Sequence, residues 1–117
     1  DWDLASGQVH VNERWSTMLG YAPDAMSRHI DSWRQLLHPE DAQRAEEALQ
    51  AHFDGHADAY AVEVRMRARD GSWIWVLDSG RVTCRDVSGR PLRMSGIHLD
   101  INERKRAEQA LAAERSR

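Results

Sequence analysis

A chain of 117 residues fits one compact domain, and its 41% apolar residues are enough to bury a single core. With 30% charged residues and a net charge of −3 the surface is well solvated, which argues against a binder of nucleic-acid phosphates, normally basic. The single cysteine, Cys84, excludes an internal disulfide, and no apolar run approaches the length of a membrane span. No signal peptide is visible, so a cytoplasmic location is expected. The chain lacks an initiator Met and stops inside a charged helical pattern. It reads as a piece of a longer protein, whose other parts are free to include a membrane anchor.

In chain order, Trp2 and Leu4, a Ser6-Gly7 turn, then Val9 and Val11 predict a short hairpin. Asn12 is an N-cap candidate for a helix with Trp15, Met18 and Leu19 at helical spacing, which Gly20 stops. One short helix is expected after Pro23-Asp24, and another carrying Ile30, Trp33, Leu36 and Leu37. His38-Pro39-Glu40-Asp41 opens the longest internal helix, with Pro and two carboxylates suited to its first turn. Its stripe is Ala42, Ala45, Leu49 and Phe53, and Gly55 ends it.

From Ala59 the period becomes two: Tyr60, Val62, Val64 and Met66 alternate with Ala61, Glu63, Arg65 and Arg67. Asp70-Gly71 marks a hairpin turn into a strand from about Trp73 to Cys84. Asp86-Val87-Ser88-Gly89 turns again into a strand from Leu92 to Ile101. Residues 102–117 are helical by composition, with Ala107, Ala110 and Leu111 as a seam. The predicted division is a core over 1–101 and an exit helix over 102–117. Short helices set to one side of an antiparallel sheet make an α+β domain.

Several motifs in this order resemble a known family. Trp2-Asp3-Leu4, Leu19-Gly20-Tyr21 and His38-Pro39-Glu40-Asp41 resemble the core of PAS domains. Glu63-Val64-Arg65-Met66-Arg67, Asp70-Gly71-Ser72-Trp73-Ile74-Trp75 and Gly89-Arg90-Pro91 resemble its C-terminal PAC motif. The stretch Gly96 to Lys105 is similar to the family's exit signature, with Asn102 where Thr is usual. The resemblance implies a five-stranded antiparallel sheet in the order 2-1-5-4-3, helices over its inner face, a ligand pocket between them, and a homodimer. It also implies a bacterial input module without catalysis of its own, whose exit helix reaches a histidine kinase, a diguanylate cyclase or a phosphodiesterase.

Flavin-binding members place a polar pocket residue just before the Leu-Asp pair, which corresponds to His98. On that frame the expected pocket residues are His98, Met94, Met66, Val64, Trp75, Leu77, Ser79 and Trp33. Ile74, Val76, Ile97, Leu99 and Ile101 are then expected as an outward apolar patch that docks a flanking helix or a second protomer. A one-residue slip across a bulge would exchange these faces. His98 reads either as a ligand contact or as a core histidine satisfied by its neighbours. Asp100, Asn102, Glu103 and Arg104 form the expected signal exit, with Asn102 capping the helix.

No cofactor is identifiable from the residues. Haem through His52 is disfavoured, since it rests on one histidine near a helix end beside Phe53, and a zinc pair with His56 is disfavoured because Gly55 interrupts the helix between them. A photosensory flavin adduct is excluded by the missing cysteine motif, and Cys84 reads as a small hydrophobe in or near the core. Nucleophile elbows and phosphate loops are absent, so no enzyme is expected. Two readings stay open: a sensor of an unknown small molecule, and a ligandless dimerisation and relay module whose core is filled by its own side chains.

Overall fold

The computed structural model describes residues 1–9, 18–21 and 30–116. The elements are β1 (Trp2–Asp3), α1 (Ile30–Arg34), α2 (Pro39–Phe53), β2 (Tyr60–Arg67), β3 (Trp73–Arg85), β4 (Pro91–Asp100) and α3 (Asn102–Arg115). All strand pairs are antiparallel, in the order β1-β4-β3-β2. Among the described residues the sheet therefore has four strands, where five were expected. Of the other expected strand, the described residues show a bridge between Trp2 and Val9. At the turn between them the Asp3 carboxylate accepts the backbone N–H groups of Ala5 and Ser6. Val11, the helix expected from Asn12 and the one after Pro23-Asp24 lie largely or wholly outside the described residues.

Periodicity placed β2 as expected. Tyr60, Val62, Val64 and Met66 are buried, and Val64 and Met66 are fully inaccessible. Directly opposed residues in an antiparallel pair share a face. Val64 opposes Val76, Met66 opposes Ile74 and Val62 opposes Asp78, so Ile74, Val76 and Asp78 point inward. Trp75, Leu77 and Ser79 then point outward, which reverses both expectations for β3. The run Trp73-Ile74-Trp75-Val76-Leu77 is apolar at every position and so carries no parity of its own; only its register with β2 assigns the faces. On β4, His98 opposes Asp78 and Met94 opposes Val82 on the inner face, while Leu99 opposes Leu77 and Ile97 opposes Ser79 outside.

At the middle of the β3–β4 pair Gly80 faces Gly96. A Cβ on Gly96 would lie 2.1 Å from the Ser79 carbonyl oxygen and 2.8 Å from the Gly80 Cα. No side chain fits there without separating the strands.

α1 ends at Arg34, so Leu36 and Leu37 leave the helix instead of extending it as expected. They cover the free edge of β2: Leu37 bridges Met66, Arg67 N–H donates to the Leu36 carbonyl, and His38 N–H donates to that of Arg65. Asp41, 3% exposed, accepts the backbone N–H of Arg65 at 2.7 Å, its Nε at 2.9 Å and its outer nitrogen at 2.9 Å. Arg44 donates to a further carbonyl of that edge, that of Glu63, at 2.6 Å. An open strand edge invites foreign pairing, and here the helix preceding it seals it. Pro39 opens α2 and the His38 ring accepts the Glu40 N–H, while Ala45 and Leu49 bury the expected stripe against the sheet.

Candidate functional site

The inner face carries a line of polar groups within an otherwise apolar core. Tyr60 on β2 donates its hydroxyl to Asp78 Oδ2 at 2.9 Å. Asp78 Oδ1 lies 3.1 Å from His98 Nε2, and Trp33 on α1 directs its indole N–H to the same nitrogen at 3.0 Å. The Trp33 and His98 rings also stack at a tilt, with centroids 5.5 Å apart. Asp78 is 6% exposed, and a carboxylate so buried costs several kcal/mol unless hydrogen-bonded. Burial and then the Asp78 charge push the Tyr60 phenol far above its ordinary range, so Tyr60 stays a donor. The line thus joins three strands to the helix layer.

Of the expected pocket residues, His98, Met94, Met66 and Val64 share this inner face, and Trp33 reaches it from α1. Trp75, Leu77 and Ser79 do not; they lie on the opposite face. Asp78 and Tyr60 were missed. The signal for them was a lone Asp in an apolar strand, four residues beyond Ile74, which opposes Met66 across the Asp70-Gly71 turn. A separate shallow cleft of about 470 Å³ lies at that turn, lined by Met18, Leu19, Ala68, Arg69, Ser72 and Ile74 among others, and includes none of the polar line.

The outer face differs from the expected patch in composition. Ile97 is 64% and Leu99 52% exposed, with Leu77 half-buried beside them. Ile74 and Val76 belong to the core instead, and Ile101 is buried at the strand–helix junction.

At the exit, Trp75 is the anchor. Ile101 N–H donates to the Trp75 carbonyl at 3.0 Å, and Trp75 N–H donates to Asn102 Oδ1 at 3.2 Å. The Asn102 amide oxygen replaces the backbone acceptor that β4 would have offered had it continued. The expected cap is therefore corrected: Asn102 is the first helical residue, Ile101 occupies the cap position without a side-chain bond, and Asp100 accepts the Asn102 N–H at 2.8 Å. Lys105 Nζ and the Arg65 guanidinium lie 4.7 Å and 5.2 Å from the Trp75 ring centre. Glu63, on the outer face of β2, pairs with Arg104 and with Lys105 Nζ at 2.6 Å. Bonds from Lys105, then from Arg104, outweigh burial and hold the Glu63 carboxyl below its ordinary range. Glu103 is exposed, and α3 buries no residue along its length.

The chain matches the family model described as PAS fold over residues 8–98. It belongs to the PAS fold family. This PAS domain is 30% identical over 101 residues to the probable diguanylate cyclase DgcE of Escherichia coli K12, covering 86% of the chain and 9% of that protein. It is 28% identical over 111 residues to the sensor protein FixL of Bradyrhizobium diazoefficiens, covering 95% of the chain and 21% of that protein. A crystal structure of a sensory box histidine kinase/response regulator from Burkholderia thailandensis superposes with a TM-score of 0.86 at 31% identity, covering 98% of this chain and 84% of that one. The chain thus spans about a fifth or less of the length of these curated relatives. Its homologues identify it as a sensory, regulatory domain.

The cofactor candidates can be tested on the PAS domain's own residues. His52 is 4% exposed; its Nδ1 donates to the Ala57 carbonyl at 2.8 Å and its Nε2 accepts the Val82 N–H at 2.9 Å. It ties the end of α2 to the bulged part of β3, and an iron bond would have to break the latter contact. The ring does not fit an axial haem ligand. His56 lies beyond the helix and is exposed. Cys84 is exposed too, correcting its expected place in the core. Among the described residues no group of three His, Cys, Asp or Glu is placed to hold a metal ion, and no helix is long and apolar enough to cross a membrane.

Proposed function

We propose that this PAS domain is a non-catalytic input module of a larger signalling protein, a histidine kinase or a diguanylate cyclase or phosphodiesterase. In this reading it relays the state of its inner face through β4 into α3. The observation that supports it most is the continuity of one strand: His98 meets Trp33 and Asp78 inside, and three residues later Ile101 and Asn102 are bonded to Trp75 outside. A shift of β4 relative to β3 changes both ends together. Asp100, Asn102 and Arg104 transmit that shift, and Glu63 sets how firmly the first turn of α3 follows. The names of the relatives support the two classes of output. A cytoplasmic location, with the parent anchored in a membrane or not, accords with this role.

The outer face and α3 support a second copy of the chain as the partner. Leu77, Ile97 and Leu99 form an exposed apolar patch beside a helix that buries nothing, and a second copy of the chain, paired through this face and along α3, would cover both. Leu99→Asp is expected to shift the chain from dimer to monomer in analytical ultracentrifugation with its unfolding midpoint nearly unchanged. A chain that is monomeric at high concentration rejects the dimer, and a dimer unaffected by Leu99→Asp rejects pairing through this face; loss of the fold rejects the outward placement of Leu99.

For the stimulus, an unidentified small molecule that displaces Trp33 from His98 is one reading. The other is a ligandless relay, favoured by the way Trp33, His98, Asp78 and Tyr60 contact one another. Native mass spectrometry of the purified chain separates them: a retained adduct lost on His98→Ala supports the sensor, and a bare mass supports the relay.

A further inference from the structure

One atom in the polar line is asked to do two incompatible things. Trp33 Nε1–H can only donate, so its 3.0 Å contact requires a lone pair on His98 Nε2. Asp78 Oδ1, 3.1 Å from the same nitrogen, is attracted only when Nε2 carries a proton. With the lone pair, the carboxylate faces it without a donor; with the proton, two N–H groups point at each other. The second Asp78 oxygen is already committed to Tyr60, whose phenol holds its own proton.

We propose that His98 is a proton-operated switch between α1 and the sheet. This rests on the reading of the inner face as the input of the relay and specifies its regulation. In the neutral ring Nε2 accepts from Trp33, and α1 is held down on β4. Uptake of one proton from solvent at Nε2 turns it into a donor to Asp78, forms an ion pair inside the sheet, and expels the Trp33 indole. The event changes the α1 contact and the β3–β4 pair at one point, three residues before Ile101. Histidine suits the task because its ordinary titration falls between about pH 5 and 8.

Among the described residues the charged groups around the ring are few. Asp78 on β3 faces it directly. On β4 Asp100 shares the inner parity but is exposed and bonded to the Asn102 N–H. On α1 Asp31 and Arg34 flank Trp33; both are more than a third exposed, and Arg34 pairs with Asp31 and with Glu46 of α2 at 3.2 Å. Glu46 and Arg44 act on the Tyr60 side of the line. Among the described residues Asp78 is the carboxylate in contact with the ring, and its attraction grows when the ring becomes charged.

The test uses the 117-residue chain and nuclear magnetic resonance. The indole N–H signal of Trp33, identified by its loss in Trp33→Phe, and the His98 ring carbons are followed from pH 8 to 5, with the other tryptophan indoles as controls. The expected result is a sigmoidal shift of the Trp33 signal with the same midpoint as His98, absent from the controls. In His98→Gln the amide oxygen accepts from Trp33 while its NH₂ donates to Asp78, and the Trp33 signal is expected to be flat. A flat Trp33 signal in the wild type while His98 titrates overturns the proposal, as does a His98 ring that does not titrate in this range. If His98→Gln fails to fold, the paired titrations of the wild type still decide. Failure of the relay reading is seen elsewhere: the Trp33 switch would operate while the amide protection factors of residues 101–106, with the intrinsic pH dependence of exchange divided out, stay the same at pH 8 and pH 5.

Discussion

The clamp between Asp41 and Arg65 ties the first turn of α2 to the edge of β2. Asp41 accepts three bonds from Arg65 and a longer one from Arg44, and its side chain is 5% exposed. Burial alone would raise its pKa; the Arg65 bonds override this and bring it from 3.8 to about 2. At about 1.36 kcal/mol per unit, that fall corresponds to about 2 kcal/mol of stability held by the ionised clamp. Because the folded value is depressed, the contribution is complete above about pH 4 and is lost as pH falls toward 2. Asp41→Asn keeps one acceptor oxygen and removes the charge. Urea unfolding followed by tryptophan fluorescence is expected to show a loss of about 2 kcal/mol at pH 7, and the gap to wild type should narrow between pH 4 and 2.5. A variant as stable as wild type at pH 7, or a gap that does not change with acid, would refute the reasoning.

Three further outcomes follow from the packing. Val76→Ala, at a site with no accessible surface, should cost about 2 kcal/mol, and Leu77→Ala on the outer face under about 1 kcal/mol; the reverse order in chemical unfolding would show the β3 faces to be exchanged. Gly96→Ala forces the β3–β4 pair apart and should cost about 3 kcal/mol, with loss of amide protection at Ser79 and Ile97, and a neutral result would contradict the close approach. Glu63→Gln should change global stability by under about 1 kcal/mol, since its pairs are partly solvated, yet speed hydrogen exchange across residues 102–106. Unchanged exchange there would mean that Trp75 and Asn102 hold the helix alone.

The sequence by itself determined most of the architecture: the α2 boundaries at His38-Pro39 and Gly55, the β2 alternation, both hairpin turns, and the passage from Asp100 into a helix. Local signals suffice for these because each depends on the conformational preference of one or two residues or on a period set within one segment. It also placed His98 and Met94 inward. Tertiary structure alone decided the faces of β3, because five consecutive apolar residues carry no period and only pairing with β2 supplies one. It also decided that Asp41 seals an edge strand beyond its role at the helix start, and that Trp75 anchors the exit helix. Asp78, marked in the sequence only as a lone Asp in an apolar strand, joined Tyr60, His98 and Trp33 into one line. Those partners stand 18, 20 and 45 residues from Asp78 along the chain. Contacts of that separation are set by sheet register and helix placement, which no local pattern encodes.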